Sequence, residues 1–226
     1  MALMADQSPT VEQYLETIYE LEESAIPPMR ARLVERLGVS APSVSETVAR
    51  LEREGHVTLD GNRVIRLTPG GQQLATAIMR RHRLAERLLV DVLGVPWHQV
   101  HEEAGRLEHA ISANLEAHLI SVLDDPATCP HGNPIPGSTH AVDVGPTVPL
   151  AEVPPGGRAV VRRIDEELEN RADYMLLLEQ SGLVPGATVE MVGGDADGLA
   201  VLSSTGRTEL PRFVGAKVFV SLAAAE

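Results

Sequence analysis

His82 and Glu86 stand four residues apart in the stretch MRRHRLAER, the spacing that puts an imidazole and a carboxylate on one face of a helix. His101 and Glu108 lie seven apart, two helical turns, and share a face of the next helical segment, with His109 rotated from Glu108 by about 100°. Nitrogen and oxygen donors on two adjacent helices are what a divalent cation takes, and there are enough of them for two positions. Each histidine also has an ordinary reading: His82 as plain surface among arginines, and His101, Glu102 and Glu103 as a solvated face. Seven of the eight His fall between residues 82 and 140, and that concentration shifts the weight toward metal. Enzyme chemistry is poorly supported. The run from His101 lacks the second His of the H-E-x-x-H zinc motif, Gly105 standing in its place. No nucleophile elbow, phosphate loop or dinucleotide fingerprint occurs. Cys129, beside His131 in a proline-rich loop, reads as incidental. The expectation is a protein that is not an enzyme.

A second constellation opens at Ser40-Ala41-Pro42-Ser43-Val44-Ser45-Glu46. Small and hydroxyl residues at a helix N-terminus let the backbone approach a groove, and the free N–H groups and helix dipole favour phosphate. Arg30, Arg50, Arg53 and Arg63 surround it. Ser and Pro make weak base contacts, so such a helix reads DNA mostly through shape. The plain alternative is a capped helix with solvated arginines.

These residues need elements to hold them. Residues 9–24 have helical apolar spacing, with Thr10 and Gln13 fitting a capping box. A short helix over 29–37 stops at Gly38, and Ser40 caps a third that runs to Glu54. Strands over 56–59 and 64–67 flank an Asp60-Gly61-Asn62 turn. The order is that of a winged helix-turn-helix. Thr68-Pro69 starts a helix that can reach Leu93, and further helices begin near Pro96 and Ser112; their shared apolar faces require a partner surface, expected to be a dimer interface. Residues 124–157 hold eight of the 16 prolines and read as a linker in their later half. Strands over 159–164, 188–192, 199–203 and 217–222, interrupted by one helix over 167–180, suggest a small barrel. The predicted class is α+β: a winged-helix DNA-binding domain (1–75), a helical dimerisation and metal-binding domain (76–142), a linker (143–157) and a small β-barrel (158–226).

Composition agrees. A net charge of −13 argues against nonspecific nucleic-acid binding, while bound cations would offset repulsion from DNA. One cysteine cannot make an internal disulfide, and the start MALMADQSPT has no basic region followed by an apolar stretch, so the expected compartment is the cytoplasm, with no membrane partner.

The stretches at 11–23 (VEQYLETIYELEE), 29–57 (MRARLVERLGVSAPSVSETVARLEREGHV), 67–89, 100–112 and PHGNPIPG at 130–137 together resemble the diphtheria toxin repressor family over about 130 residues. GLVPGATVEMV, from Gly182, is similar to the SH3-like third domain of its longer members. The resemblance implies a homodimeric repressor that binds divalent iron or manganese, two sites per subunit, and then a palindromic double-stranded operator, with no small organic substrate. It implies an ancillary site of His82, Glu86 and His101, with Glu169 and Asp173 from the third domain in a register uncertain by about one residue. The regulatory site carries Glu108 and His109, but Gln13 and Gly105 stand where the iron branch has Met and Cys and the manganese branch has carboxylates; only Glu16 matches the latter branch. Without soft ligands the set suits Mn²⁺ better, with Fe²⁺ the alternative. The DNA contacts implied are Ser40 and Pro42 to base edges, and Arg30, Ser43, Ser45, Arg50, Arg53 and Arg63 to phosphates. Glu46, where some members have Gln, could accept from cytosine N4. Two other readings stay open: a regulator whose regulatory site is dead, and a metalloprotein that does not bind DNA.

Overall fold

A computed structural model describes residues 8–140 and 145–223. The stretch from Met1 that was read for a leader, and residues 143–144 of the expected linker, lie outside them. The chain divides into two compact units, residues 1–81 and 82–226, with the division inside one helix.

The first unit contains α1 (Pro9–Glu23), α2 (Arg30–Leu37), α3 (Ala41–Arg53), the hairpin β1 (Val57–Leu59) and β2 (Ile65–Leu67), and the start of α4 (Pro69–Arg87). Its core is the apolar stripe of each helix: Leu15, Ile18 and Leu21 of α1, Leu33 of α2, Val44, Val48 and Leu51 of α3, closed by Val57, Ile65 and Ile78. Each such side chain contributes about 1.5–3 kcal/mol by leaving water. Ser40 caps α3, its Oγ accepting from the Ser43 N–H, and Gly38 ends α2 at φ +65°. The capping box expected at Thr10 and Gln13 does not form. Ser8 is the N-cap and Thr10 is already helical, so Gln13 is an interior residue whose carbonyl accepts from Thr17 Oγ1. In the wing, Asp60 Oδ1 accepts from the N–H groups of Asn62 and Val64, and Arg63 takes the left-handed conformation.

In the second unit the helix read as continuous to Leu93 changes pitch. After α4 comes a wide π turn, Leu88–Val92. A 3₁₀ turn (Trp97–Gln99) leads into α5 (Val100–Leu107), a second 3₁₀ turn (Glu108–Ala110) follows, and α6 (Ala113–Val122) is capped by Ser112. Ala85, Leu89, Val100, Ala104, Ile111 and Leu119 form their core.

The strands make one antiparallel six-stranded sheet in the order β3-β8-β4-β5-β6-β7, formed by β3 (Val148–Pro149), β4 (Arg158–Ile164), β5 (Thr188–Gly194), β6 (Gly198–Ser203), β7 (Gly206–Pro211) and β8 (Val218–Leu222). Two corrections apply to the expected linker over 143–157. It already contains β3, and Leu150 and Val153 are buried in the β-domain core. β7 was not expected, because GRTELP carries charges on alternate residues and buries only Leu210. The helix expected over 167–180 is broken at Asn170 and Arg171 into α7 (Glu166–Glu169) and α8 (Ala172–Gln180); a last short helix, α9 (Arg212–Gly215), precedes β8. On β4 the inward positions are Ala159, Val161 and then Ile164, because a register shift between Val161 and Arg163 changes the phase by one. That bulge delivers Asp165 and Glu166 into α7.

Gly71 is fixed by space: a Cβ there would sit 1.9 Å from the His56 carbonyl oxygen, whereas one at Gly70 would meet nothing closer than 3.9 Å. Gly71→Ala is expected to lower the stability of the first unit by about 1–3 kcal/mol through overpacking, and Gly70→Ala to change it by less than about 0.5 kcal/mol, measured by urea unfolding.

Candidate metal centre

Within the second unit, α4 presents His82 and Glu86 on one face, as their spacing requires, and both are buried. α5 brings His101 against them: His82 Nε2 lies 3.0 Å from His101 Nδ1 and 3.3 Å from Glu86 Oε1, and His101 Nδ1 lies 3.3 Å from Glu86 Oε1. α7 adds Glu169, whose Oε2 is 3.2 Å from His101 Nδ1. A fifth donor comes from the loop before the β-domain, where His131 Nδ1 lies 2.9 Å from Glu169 Oε2 and 3.3 Å from Glu86 Oε1.

Spacings of 2.9–3.3 Å among five nitrogen and oxygen atoms have a definite meaning. An ion bonded at about 2.1 Å holds donors at right angles about 3.0 Å apart. Proton inventory points the same way. Glu108 Oε2 sits 2.6 Å from His82 Nδ1; a carboxylate only accepts, so Nδ1 carries the proton and Nε2 presents its lone pair to the cluster. His131 Nε2 donates to the Trp97 carbonyl at 3.2 Å, which leaves Nδ1 facing two carboxylates. Glu86 Oε2 is buried with no hydrogen-bond partner among the described residues. Lone pairs converging in a buried site are stable only around positive charge, a proton or a metal ion. The residues present therefore fit a divalent cation.

The ionisation directions follow. Burial alone would lower His101, but the Glu169 and Glu86 carboxylates hold it up, at about 10. Burial also opposes charge on His131, and Glu169 and Glu86 overcome it and raise its pKa. Glu86 is pushed up by burial and pulled further down by His131, His101 and His82, so it stays ionised. Cys129 lies with Glu86 and His131 in a second cluster of donors within 4.8 Å of one another, its thiol pushed up to about 12, first by burial and then by Glu86.

The geometry differs from the sequence reading at Asp173 and at Cys129 and His131, and gives Glu108 an added part. Asp173, expected as a fifth ligand, is 65 % exposed and pairs with Arg171. The break before α8 gives Asp173 a different direction from Glu169, so one helix cannot offer both. His131 and Cys129 belong to the donor cluster, although Cys129 reads from sequence as incidental; the signal was the Cys-Pro-His-Gly run, a thiol and an imidazole two apart with a glycine to allow close packing. A Cβ on Gly132 would lie 2.0 Å from the Arg162 carbonyl, so this loop seats directly on β4. Glu108, which the resemblance assigns to the regulatory site, also accepts from His82 Nδ1 and so orients that ring. His109 is next to it, Nε2 at 3.7 Å from Glu108 Oε1, and Gly105 has open space where a side chain would begin. Gln13 and Glu16 belong to the other unit, on α1, Gln13 exposed and Glu16 buried.

In the first unit the expected DNA contacts lie on α2, α3 and the wing. Ser40, Pro42, Ser43, Ser45 and Glu46 are all exposed on the first turns of α3. Arg53 and Arg63 are exposed, while Arg30 and Arg50 are half-buried, Arg50 donating to Ser8 Oγ at 3.3 Å.

Comparison with known proteins matches three consecutive regions: an iron dependent repressor N-terminal DNA binding domain over residues 6–64, an iron dependent repressor metal binding and dimerisation domain over 68–137, and a FeoA domain over 148–222. The chain is 45 % identical over 209 residues to the iron-dependent repressor IdeR of Mycobacterium leprae, covering 88 % of this chain and 90 % of that one. It is 43 % identical over 218 residues to the diphtheria toxin repressor of Corynebacterium diphtheriae, covering 90 % and 92 %. Among solved structures, a manganese-dependent transcriptional repressor in complex with manganese is similar with a TM-score of 0.83 and 30 % identity, over 94 % of this chain and all of that one.

His131→Ala is expected to weaken Mn²⁺ binding by at least about tenfold and Asp173→Asn to leave it unchanged, read by chelator competition on the full chain. Equal losses in the two variants would place the third-domain ligand elsewhere on α7 and α8.

Proposed function

The chain belongs to the diphtheria toxin repressor family of metal-dependent, DNA-binding transcriptional repressors, and we propose that it is activated by Mn²⁺. The observation that carries this reading is the cluster of three imidazole nitrogens and two carboxylate oxygens, with no sulfur among the five. Nitrogen and oxygen donors without thiolate suit Mn²⁺. A specific observation favours Fe²⁺ as the second reading: the curated relatives at 45 % identity are named iron-dependent repressors. Its partners are a homodimer mate and an operator, which we take to be palindromic, two half-sites facing two subunits.

The chain's own residues divide the work. Glu108 holds the His82 ring with Nε2 inward, and the Trp97 carbonyl holds His131 with Nδ1 inward. Glu169 closes the site from α7. A divalent ion held by His82, Glu86, His101, His131 and Glu169 would supply the positive charge that these lone pairs share. His101 must give up its proton first, since it titrates at about 10. In the first unit, α3 offers its hydroxyl-lined N-terminus to a major groove, with Arg30, Arg50, Arg53 and Arg63 for phosphates and Glu46 as an acceptor for a base amino group. The second position per subunit, with Glu108, His109, Gln13, Glu16 and Gly105, rests on the resemblance alone. Reversing a 1:99 population toward the DNA-competent form takes about 5.5 kcal/mol of differential metal affinity.

Fluorescence anisotropy on upstream DNA at fixed salt tests the reading. Tight binding is expected with Mn²⁺, weaker binding with anaerobic Fe²⁺ at equal free concentration, and none without metal. Glu108→Ala and His109→Ala are expected to lose the metal dependence while remaining folded. Binding that ignores metal in the unaltered chain would make it a constitutive regulator with a dead regulatory site. The sign of the pH effect is fixed by His101: its raised pKa means the metal-free site holds a proton at neutral pH, so metal affinity should rise with pH, about tenfold per unit for each proton displaced, across pH 6–8.5. Calorimetry in buffers of different ionisation enthalpy would count the released protons.

A further inference from the structure

Arg83 heads the fully buried side chains by volume, a guanidinium with no exposed surface. It stands on α4 next to His82 and three residues before Glu86, yet supplies no donor to the cluster. Nε and Nη2 both donate to one oxygen, Glu166 Oε1, at 3.0 and 2.5 Å, while Nη1 donates to the Pro134 carbonyl at 2.5 Å. Burial opposes the charge on Glu166 and Arg83 restores it, so the pair is ionised. A buried cation of this size survives only when held by partners of good geometry.

Its partners are what matter. Glu166 opens α7, and Glu169 follows it by three residues, on the same face. Pro134 lies three residues beyond His131 in the same loop, bridged to Thr128. Arg83 therefore grips both elements that bring donors not present on α4 or α5. Asn133 ties the same two elements together, its Nδ2 donating to Glu169 Oε1 at 2.8 Å and to the Ile164 carbonyl at 2.9 Å. One turn further along α4, Arg87 Nε holds the start of the loop by the Thr128 carbonyl at 2.6 Å.

We propose that Arg83 is a positioning residue of the metal centre: without touching the ion, it sets how far Glu169 and His131 stand from His82 and Glu86, so that metal affinity and docking of the β-domain are one equilibrium. This rests on the reading that the cluster binds a divalent metal.

Co²⁺ added to the purified full chain is the probe, because its visible d–d absorption reports the number and kind of donors. Arg83→Gln is expected to weaken Co²⁺ binding by at least about tenfold and to move the spectrum toward that of Glu169→Gln. The double variant should lose clearly less than the sum of the two single losses, since Arg83 acts in part through Glu169. Arg83→Lys, which keeps the charge and loses the fork, should fall between Arg83→Gln and the unaltered chain. A folded Arg83→Gln with unaltered spectrum and affinity overturns the proposal, and so do losses that add in the double variant. If Arg83→Gln has no cooperative thermal transition, Glu166→Gln is read by the same two signals, and unaltered values there overturn it as well. Absence of tight Co²⁺ binding in the unaltered chain is a different result: it removes the metal reading itself and the proposal with it.

Discussion

Lone pairs that converge in a dry interior repel one another, and at Glu86, Glu169, His82, His101 and His131 that repulsion is relieved only by cationic charge among them. The second unit is organised around this constraint. Two helices contribute through regular spacing, and a loop and a one-turn helix complete the shell. The tautomers are fixed from outside by a carboxylate at His82 and a backbone carbonyl at His131. A metal-free chain meets the same requirement with protons, which is why His101 and His131 are raised while Glu86 remains ionised.

The constraint reaches into the architecture of the β-domain. The register shift in β4 selects which residue enters α7, and so which carboxylates face α4. Gly132 lets the loop lie against the β4 backbone at a distance no side chain would allow. Arg83, Arg87 and Trp97 then bind that loop by its carbonyls, and the loop's own Asn133 holds Glu169. The helical and β segments accordingly behave as one compact unit and not as two beads on a linker.

Periodicity made the helices and the winged hairpin readable, because α1 and α3 each carry a clean apolar stripe, α2 stops at Gly38 and Ser40 caps α3. His82, Glu86 and His101 were readable for the same reason: helical spacing alone places them. Glu169 came from resemblance. His131 and Cys129 were not readable, since no period governs a proline-rich loop, and composition there signals a linker even where Cys129, His131, Asn133 and Ile135 are buried. β7 escaped because an edge strand with charges on alternate residues lacks the inward apolar pattern, and Asp173 misled because a two-residue break in a helix resets which face a side chain occupies.

Cys129 is enclosed beside a carboxylate, and its thiol titrates at about 12. At neutral pH such a thiol is ionised far less often than the few per cent of an ordinary surface cysteine. Peroxides and alkylating agents attack the thiolate, so this sulfur is kinetically silent while the protein is closed. Whatever reactivity it displays belongs to moments when the loop lifts, which makes the single cysteine of the chain a built-in clock for local opening.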